Sequence, residues 1–344
     1  MTQKIKKILK IFTRVLYVIL ITLLLAAAFL YSGMWMLVNG PSTEIKNLFV
    51  MSVKETSAAG FLADMYLSDE EIDEILALNK KDSNENIDTS LIKIEHKTED
   101  KVNKPTGDSI SSEKEEKDLE IIDILGPTYA GKLIIVKDPS RIFVGTPDRY
   151  GEGASGMTLK NMLKKYGCIA GINAGGFYDP NGSGTGGIPD GIVISNGKLA
   201  WGSGGTVSTV IGFDKNHILH VGRMSGNEAL NRGITEAVSF GPALIVNGVP
   251  QNASYKLGGG VNPRTAIGQR ADGAVLLLVI DGRSVTSLGV TYDDLVDIML
   301  SYGAVNAGNL DGGSSTLMVY NGETINQSAY LFGERVLATA FLVK

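Results

Sequence analysis

The 344-residue chain has one cysteine, three histidines and two tryptophans, and each shortage closes a line of interpretation. Cys168 stands alone in an apolar run, so no internal disulfide can form. An extracytoplasmic protein built without disulfides fits a bacterial surface rather than a eukaryotic secretory route. His96 lies in a charged stretch, while His217 and His220 flank a strand without Cys, Asp or Glu at ligand spacing. That sets aside a zinc site and a Ser-His-Asp triad. Positive charge is also short. With 32 Lys and Arg against 37 Asp and Glu the net charge is −5, and past the first residues no basic stripe could neutralise phosphates, which argues against a nucleic-acid partner.

What the chain does have is apolar mass and glycine: 44% hydrophobic residues and 42 glycines, the composition of a loop-rich globular protein. Val15 to Val38 carries no charge and is long enough as a helix to cross a hydrocarbon core of roughly 30 Å. Lys4, Lys6, Lys7, Lys10 and Arg14 precede it. The expectation is a cytoplasmic basic tail over 1–14, a single-pass signal anchor over 15–38 in the cell membrane, and the globular part outside. Ala26, Ala27 and Ala28 would suit cleavage, but the apolar run continues through Phe29, Leu30 and Trp35, past the length of a signal core, so the anchor reads as uncleaved.

Residues 39–119 read as a stalk. Within it SDEEIDEILAL begins with Ser68 and places Glu71 three residues on, a capping box that opens a short helix with Ile72, Ile75 and Leu76 on one face. From Asn79 to about Leu119 the chain is mostly Lys, Glu, Asp, Asn and Ser, too polar to offset ordering entropy, and is expected to be a flexible spacer.

From 120 to 344 the texture becomes β-branched segments broken by glycine turns. Asn196, Asn247 and Asn321 each precede a glycine between apolar runs, the type I′ signature of a hairpin. Asp-Lys-Asn after Phe213 and Ala-Asp-Gly after Arg270 add two more. The fold expected is α+β: a sheet-rich single globular domain with several hairpins and at least two helices. The two helices belong to similar units. Leu159 to Gly176 lines up with Leu295 to Gly312, pairing Tyr166 with Tyr302, Gly167 with Gly303 and Asn173 with Asn309. Each reads as an amphipathic helix, a glycine stop and a strand ending in Asn and a glycine turn, so both turns are expected to open at one end of one sheet.

Candidate chemistry falls in four places. AVNAGNLDGGSSTL ends a strand in Asn309, Asp311, Gly312, Gly313, Ser314 and Ser315, a turn of little bulk that lets amides approach a ligand beside one carboxylate. NAGGFYD carries Asn173, Gly175 and Gly176 ahead of Phe177 and Tyr178, rings that suit a sugar face or the core. NPRTAIG puts Arg264 and Thr265 at a strand start, where the guanidinium could fork onto a phosphate or make a surface ion pair. LLLVIDGR closes an apolar strand on Asp281, at an ordinary turn or at a site. Carboxylate, arginine and amide together are equipment for a phosphorylated or glycosidic substrate.

GINAGGFYD, PDGIVISNGKL, RTAIG and NLDGGSS, in this order across Ile169 to Leu317, resemble the phosphodiester glycosidase family. The resemblance implies hydrolysis of a sugar-1-phosphodiester at the anomeric carbon, and Asn173, Gly176, Arg264, Thr265, Asp311, Gly312 and Ser314 match positions the family shares. Ser314 stands where the family usually has a third glycine. On this reading Arg264 and the amides of Gly312 to Ser314 bind the phosphate, Asp311 acts as base or nucleophile, and Asp281 is the second carboxylate. The partner expected is a phosphorylated glycan of the envelope or an exopolysaccharide. Two other readings stay open: a non-catalytic glycan-binding module, and a metal-assisted phosphodiesterase with Asp281, Asp311 and Asn309 as oxygen ligands. The motifs name no cofactor, and a divalent metal enters only with the last reading.

Overall fold

Alternate residues of Val275–Ile280 enter two different cores, as the two-residue period of a strand requires. Val275, Leu277 and Val279 join Ile134, Phe213 and Phe341, while Leu276, Leu278 and Ile280 join Leu133, Leu295 and Met299. A computed structural model of the chain describes residues 3–56, 59–78, 86–94, 118–252, 259–330 and 333–344.

That strand, β14, lies in a seven-stranded sheet whose order is β1 (Leu119–Leu125), β2 (Ala130–Val136), β14, β13 (Arg264–Arg270), β15 (Ala304–Leu310), β11 (Ala243–Val246) and β12 (Val249–Pro250). A five-stranded sheet runs β7 (Lys198–Trp201), β6 (Val193–Ser195), β10 (Ile234–Ser239), β8 (Val207–Asp214) and β9 (Leu219–Ser225). A second five-stranded sheet runs β17 (Glu323–Thr324), β16 (Met318–Tyr320), β5 (Ala170–Asn173), β19 (Ala340–Val343) and β3 (Ile142–Gly145). All three sheets send side chains into the core around Ile134, Ile172, Ile211 and Phe341. The fold is α+β with antiparallel sheets, as the alternation of short strands and glycine turns predicted.

The hairpins form where the turn chemistry placed them. Asn196, Asn247 and Asn321 have φ of 51°, 53° and 50°, each followed by a glycine at positive φ, and they join β6 to β7, β11 to β12 and β16 to β17. Both longer turns also hold, between β8 and β9 and between β13 and β14. The helix at Leu159–Tyr166 ends at Gly167 with φ of 64°, and the one at Tyr292–Ser301 starts from a Thr291–Asp294 capping box. Their following strands, however, lie in different sheets: β5 in a five-stranded one and β15 in the seven-stranded one. Similar local sequence specified the two units alike, and strand pairing separated them.

Before the domain, helix α1 (Gln3–Asn39) is long and apolar enough to cross a membrane, and nearly all its side chains are exposed. Helix α2 (Thr43–Lys54), α3 (Phe61–Asp64) and α4 (Asp69–Ala77) follow, packed around Val50, Met51, Ala63, Ile72 and Ile75. The Ser68–Glu71 capping box opens α4. Residues 79–85 and 95–117, most of the expected spacer, lie outside the described residues. The stretch between them is not spacer. Asp88 N–H donates to Asn247 Oδ1 at 2.7 Å, Asn247 returns its amide to Asn86 O at 2.9 Å, and Lys93 N–H reaches Ala271 O at 2.8 Å. Backbone bonds to the domain order this segment where composition alone predicted none.

Candidate active site

The two glycine turns meet although their strands belong to different sheets. Asn173, 1% exposed at the end of β5, donates its side-chain amide to Asp311 O at 2.5 Å, and Asp311 N–H donates to Ala174 O at 2.9 Å. The Asn173 carbonyl oxygen accepts from Thr265 Oγ1 at 2.7 Å and from Leu317 N–H at 3.0 Å. One buried side chain thus fixes β5, the head of β13 and both ends of the Asp311 turn. Gly176 leaves room beside it. A Cβ there would lie 2.7 Å from Asp190 Oδ2 and 2.8 Å from the Phe240 ring.

Beyond these turns opens a cavity of about 720 Å³, lined among others by Asp311 to Ser315, Phe177, Asp179, Phe240, Arg264, Arg283 and Arg335. Asp311 is its chemically poised group. Its carboxyl is pushed up to about 7, first by burial and further by the carboxylates of Asp190 and Asp179, against the Ser315 hydroxyl bond and the Arg335 charge. Arg335 is buried, donates Nε to Ser315 Oγ at 3.1 Å and pairs with Asp179. Its guanidinium lies 5.2 Å from the Phe177 ring centre and 5.4 Å from that of Tyr330.

Another part of the lining is cationic. Arg264, 4% exposed, stacks 4.1 Å from the Tyr292 ring centre and donates to Val290 O at 3.3 Å and Gly260 O at 2.6 Å. Arg283 follows β14 with φ of 58°, a costly backbone for a residue with a Cβ. It donates to Ser314 Oγ at 3.3 Å and to Asn262 Oδ1 at 3.1 Å, and burial together with the neighbouring Arg264 charge holds its pKa down. Among the described residues the carboxylate bonded to Arg264 is Glu55, which follows α2 and meets its Nη2 at 2.6 Å.

The remaining expected residues separate into wall and scaffold. Gly312, Gly313, Ser314, Ser315 and Phe177 line the cavity, and Ser314 uses the hydroxyl that a third glycine would lack to accept from Arg283. Thr265 is buried under Asn173, and Gly175 donates its N–H to Thr339 Oγ1 at 2.8 Å. Asn309 is buried with its amide on Gly241 O at 2.6 Å, and Tyr178 is exposed outside the lining. The Gly313 N–H is engaged by Pro263 O at 2.8 Å, so it does not face a ligand. Asp281 does not line the cavity. Its Oδ1 accepts from Asn326 Nδ2 at 2.9 Å and Gln327 N–H at 3.0 Å, holding the loop whose Gln327 to Tyr330 does.

Arg283, Arg335, Asp179, Asp190 and Glu55 were not among the residues singled out for chemistry in the sequence. Arg283 was within reach, one glycine past Asp281 in the same DGR string. Arg335 and Glu55 carry no local signal. Of the oxygen ligands a metal site would use, Asp281, Asp311 and Asn309, only Asp311 lines the cavity. Among the described residues no group of three or more His, Cys, Asp or Glu is placed to hold a metal ion.

Comparison with known proteins bears on the same region. A family model described as phosphodiester glycosidase matches residues 166–344. The SPbeta prophage-derived uncharacterized protein YomE of Bacillus subtilis is 31% identical over 195 residues, covering 55% of this chain and 29% of that protein. The N-acetylglucosamine-1-phosphodiester alpha-N-acetylglucosaminidase of Mus musculus is 28% identical over 217 residues, 57% of this chain and 41% of the enzyme. The chain therefore spans less than half the length of these two relatives. The zebrafish catalytic domain of the latter name, solved auto-inhibited by its pro-peptide, superposes with a TM-score of 0.53 at 22% identity, covering 65% of this chain and 81% of that one, which shows a shared fold.

Proposed function

This chain belongs to the phosphodiester glycosidase family, and on that premise we propose that it hydrolyses a sugar-1-phosphodiester at the anomeric carbon, on envelope or exopolysaccharide glycans outside a membrane that α1 spans as an uncleaved anchor. One observation carries the reading: a single cavity is lined both by Asp311, whose carboxyl is pushed up to about 7, and by the neighbouring Arg264 and Arg283.

The chemistry follows from the leaving group. Cleavage of the C1–O bond releases a phosphate monoester with a second pKa of about 6, so departure needs little protonation. The enzyme must hold the phosphate and stabilise positive charge at C1 as the bond lengthens. Arg264 and Arg283 take the phosphate oxygens. Asp311, ionised above about pH 7, attacks C1 or draws the proton from an attacking water. Asp179, fixed by Arg335, supplies a second negative charge in the cavity, the role first given to Asp281. Phe177 offers a wall for the sugar ring.

The test uses the full-length protein and an α-GlcNAc-1-phosphodiester followed by NMR. The expected products are free sugar and a phosphomonoester on the other fragment. Phosphate left on the sugar would mean phosphorus-bond cleavage and a phosphodiesterase. Saturable binding without any product would mean a glycan-binding module.

A further inference from the structure

Helix α1 is longer than a membrane needs, and what packs on its outer turns fixes the level of the cavity. Its 37 residues make a rod about 55 Å long, against a hydrocarbon core of roughly 30 Å. With Arg14 as the last charge, about twenty residues of span bring the outer face of the core to Met34 or Trp35. The following helices meet α1 at that level. Val38 is buried, and Tyr66 donates its hydroxyl to Tyr31 O at 3.2 Å with the two ring centres 5.1 Å apart. The chain around α2 and α3 therefore lies at headgroup depth, where amphipathic rings settle. Ile45 and Leu48 on α2 stay exposed, as do Phe61 and Met65 one turn apart at α3.

The far end of α2 reaches the cavity. Ser52 Oγ accepts from Val261 N–H at 2.9 Å, and a Cβ on Gly260 would lie 2.1 Å from Ser52 Cα, so helix and domain meet backbone to backbone. Thr56 lines the cavity beside Arg283 and Ser284. The next residue, Val285, is fully exposed, and Leu288 and Leu125 are exposed with it. Leu288 N–H donates to Thr128 O at 2.8 Å, which ties its loop to the β1–β2 turn. Register puts that turn at the Arg264 end of the sheet: Leu125 pairs with Ala130, Gly131 with Ile280, and Ile280 with Arg264. Bare aliphatic side chains beside a polar cavity carry a cost in water that lipid would relieve.

We propose that this end of the domain rests on the outer leaflet, with the exposed side chains of α2, α3 and the Val285–Leu288 loop in lipid, and that the substrate is a sugar-1-phosphodiester whose other ester is a long-chain alcohol held in that leaflet. The substrate class rests on the proposed function; the lipid contact rests on α1 as a span and on the exposed side chains. Hydrolysis places the hydroxyl of water on C1, leaves the electron pair of the C1–O bond on the phosphate oxygen and releases the second proton to solvent. The sugar departs into water, and the phosphomonoester stays in the membrane on its alcohol.

The experiment uses the full-length protein in lipid nanodiscs. An environment-sensitive fluorophore on Val285→Cys, in a Cys168→Ser background, should be quenched by doxyl-labelled lipid, and the same label on Met65→Cys carries the comparison if Val285→Cys does not fold. An unquenched label overturns the membrane contact. Cleavage is then compared between α-GlcNAc-1-phosphate esterified to hexadecanol, mixed into the same discs, and its methyl ester in solution. The Val285→Asp, Leu288→Asp double variant should cleave the hexadecyl diester about tenfold or more slowly than wild type while its rate on the methyl diester is unchanged. An equal effect on both esters, or cleavage of the methyl ester alone, overturns the lipid-borne substrate and leaves the proposed function standing. No cleavage of either ester, with the label quenched, removes the proposed function and leaves the membrane contact standing.

Discussion

The side-chain amide of Asn173 donates to the backbone carbonyl of Asp311 at 2.5 Å, while the Asp311 N–H returns to Ala174 O at 2.9 Å, so two turns far apart in sequence are clamped in both directions. Asn173→Ala leaves three buried partners without their bond and should cost on the order of 2–4 kcal/mol in urea unfolding. Asn173→Asp keeps an acceptor for Thr265 and Leu317 and fails only toward Asp311. A turnover loss shared by both variants assigns Asn173 to positioning Asp311; full activity in Asn173→Asp would remove that role.

Asp311→Asn should lower kcat by about a thousandfold, the scale of losing a base or nucleophile. A loss within tenfold on the α-GlcNAc-1-phosphodiester would contradict the assignment. The same change should stabilise the fold. With a folded pKa of about 7 against an unfolded value near 3.9, the folded state holds the proton more tightly, so stability falls as pH rises between those values and stays low above. Asn removes that penalty, and the variant should melt higher than wild type at pH 8, by an amount that shrinks toward pH 4.

The pH profile of kcat/KM should rise through an apparent pKa near 7, that of Asp311 in the free enzyme. Arg335 and Ser315 both oppose the upward shift. Arg335→Gln and Ser315→Ala should therefore move the rising limb to higher pH. A limb that stays in place in both variants would separate it from Asp311.

Arg264→Lys keeps the charge but loses the planar stack on Tyr292 and the fork that reaches Glu55 and Gly260 O. KM for the phosphodiester should rise about tenfold or more, and Arg283→Ala should do the same. Uncharged α-glucosides would report the specificity of the effect, since their weak turnover should not change.

Gly176→Ala places a methyl against Asp190 and the Phe240 ring, at 2.7 Å and 2.8 Å from their nearest atoms. Something must shift, and the turn that carries Phe177 shifts with it. Activity should fall more than stability, a split read from kcat/KM beside the melting temperature.

Local chemistry was enough for the pieces of this fold. Asn-Gly pairs at 196, 247 and 321 turn as they do because the positive φ they need is decided within two residues, and Gly167 and the Ser68–Glu71 box stop and start helices for the same reason. The turn residues around Asn173 and Asp311 were legible because a glycine bend of low bulk beside one polar side chain is itself a sequence pattern. Asp281 shows the limit of such reading: a carboxylate at a strand end looked catalytic, and its partners Asn326 and Gln327 come from a loop no local pattern brings near.

The sequence by itself determined where strands turn, where helices end and which two bends hold the candidate chemistry, since those choices rest on dihedral preferences and capping bonds a few residues long. Only tertiary structure decided that β5 and β15 belong to different sheets while the turns after them meet, that Arg283 and Arg335 complete the cavity, and that Glu55 reaches Arg264 across 209 residues of chain. Those contacts depend on which buried surfaces pair, a balance of apolar burial and hydrogen bonding summed over the whole domain, and no window of neighbouring residues contains it.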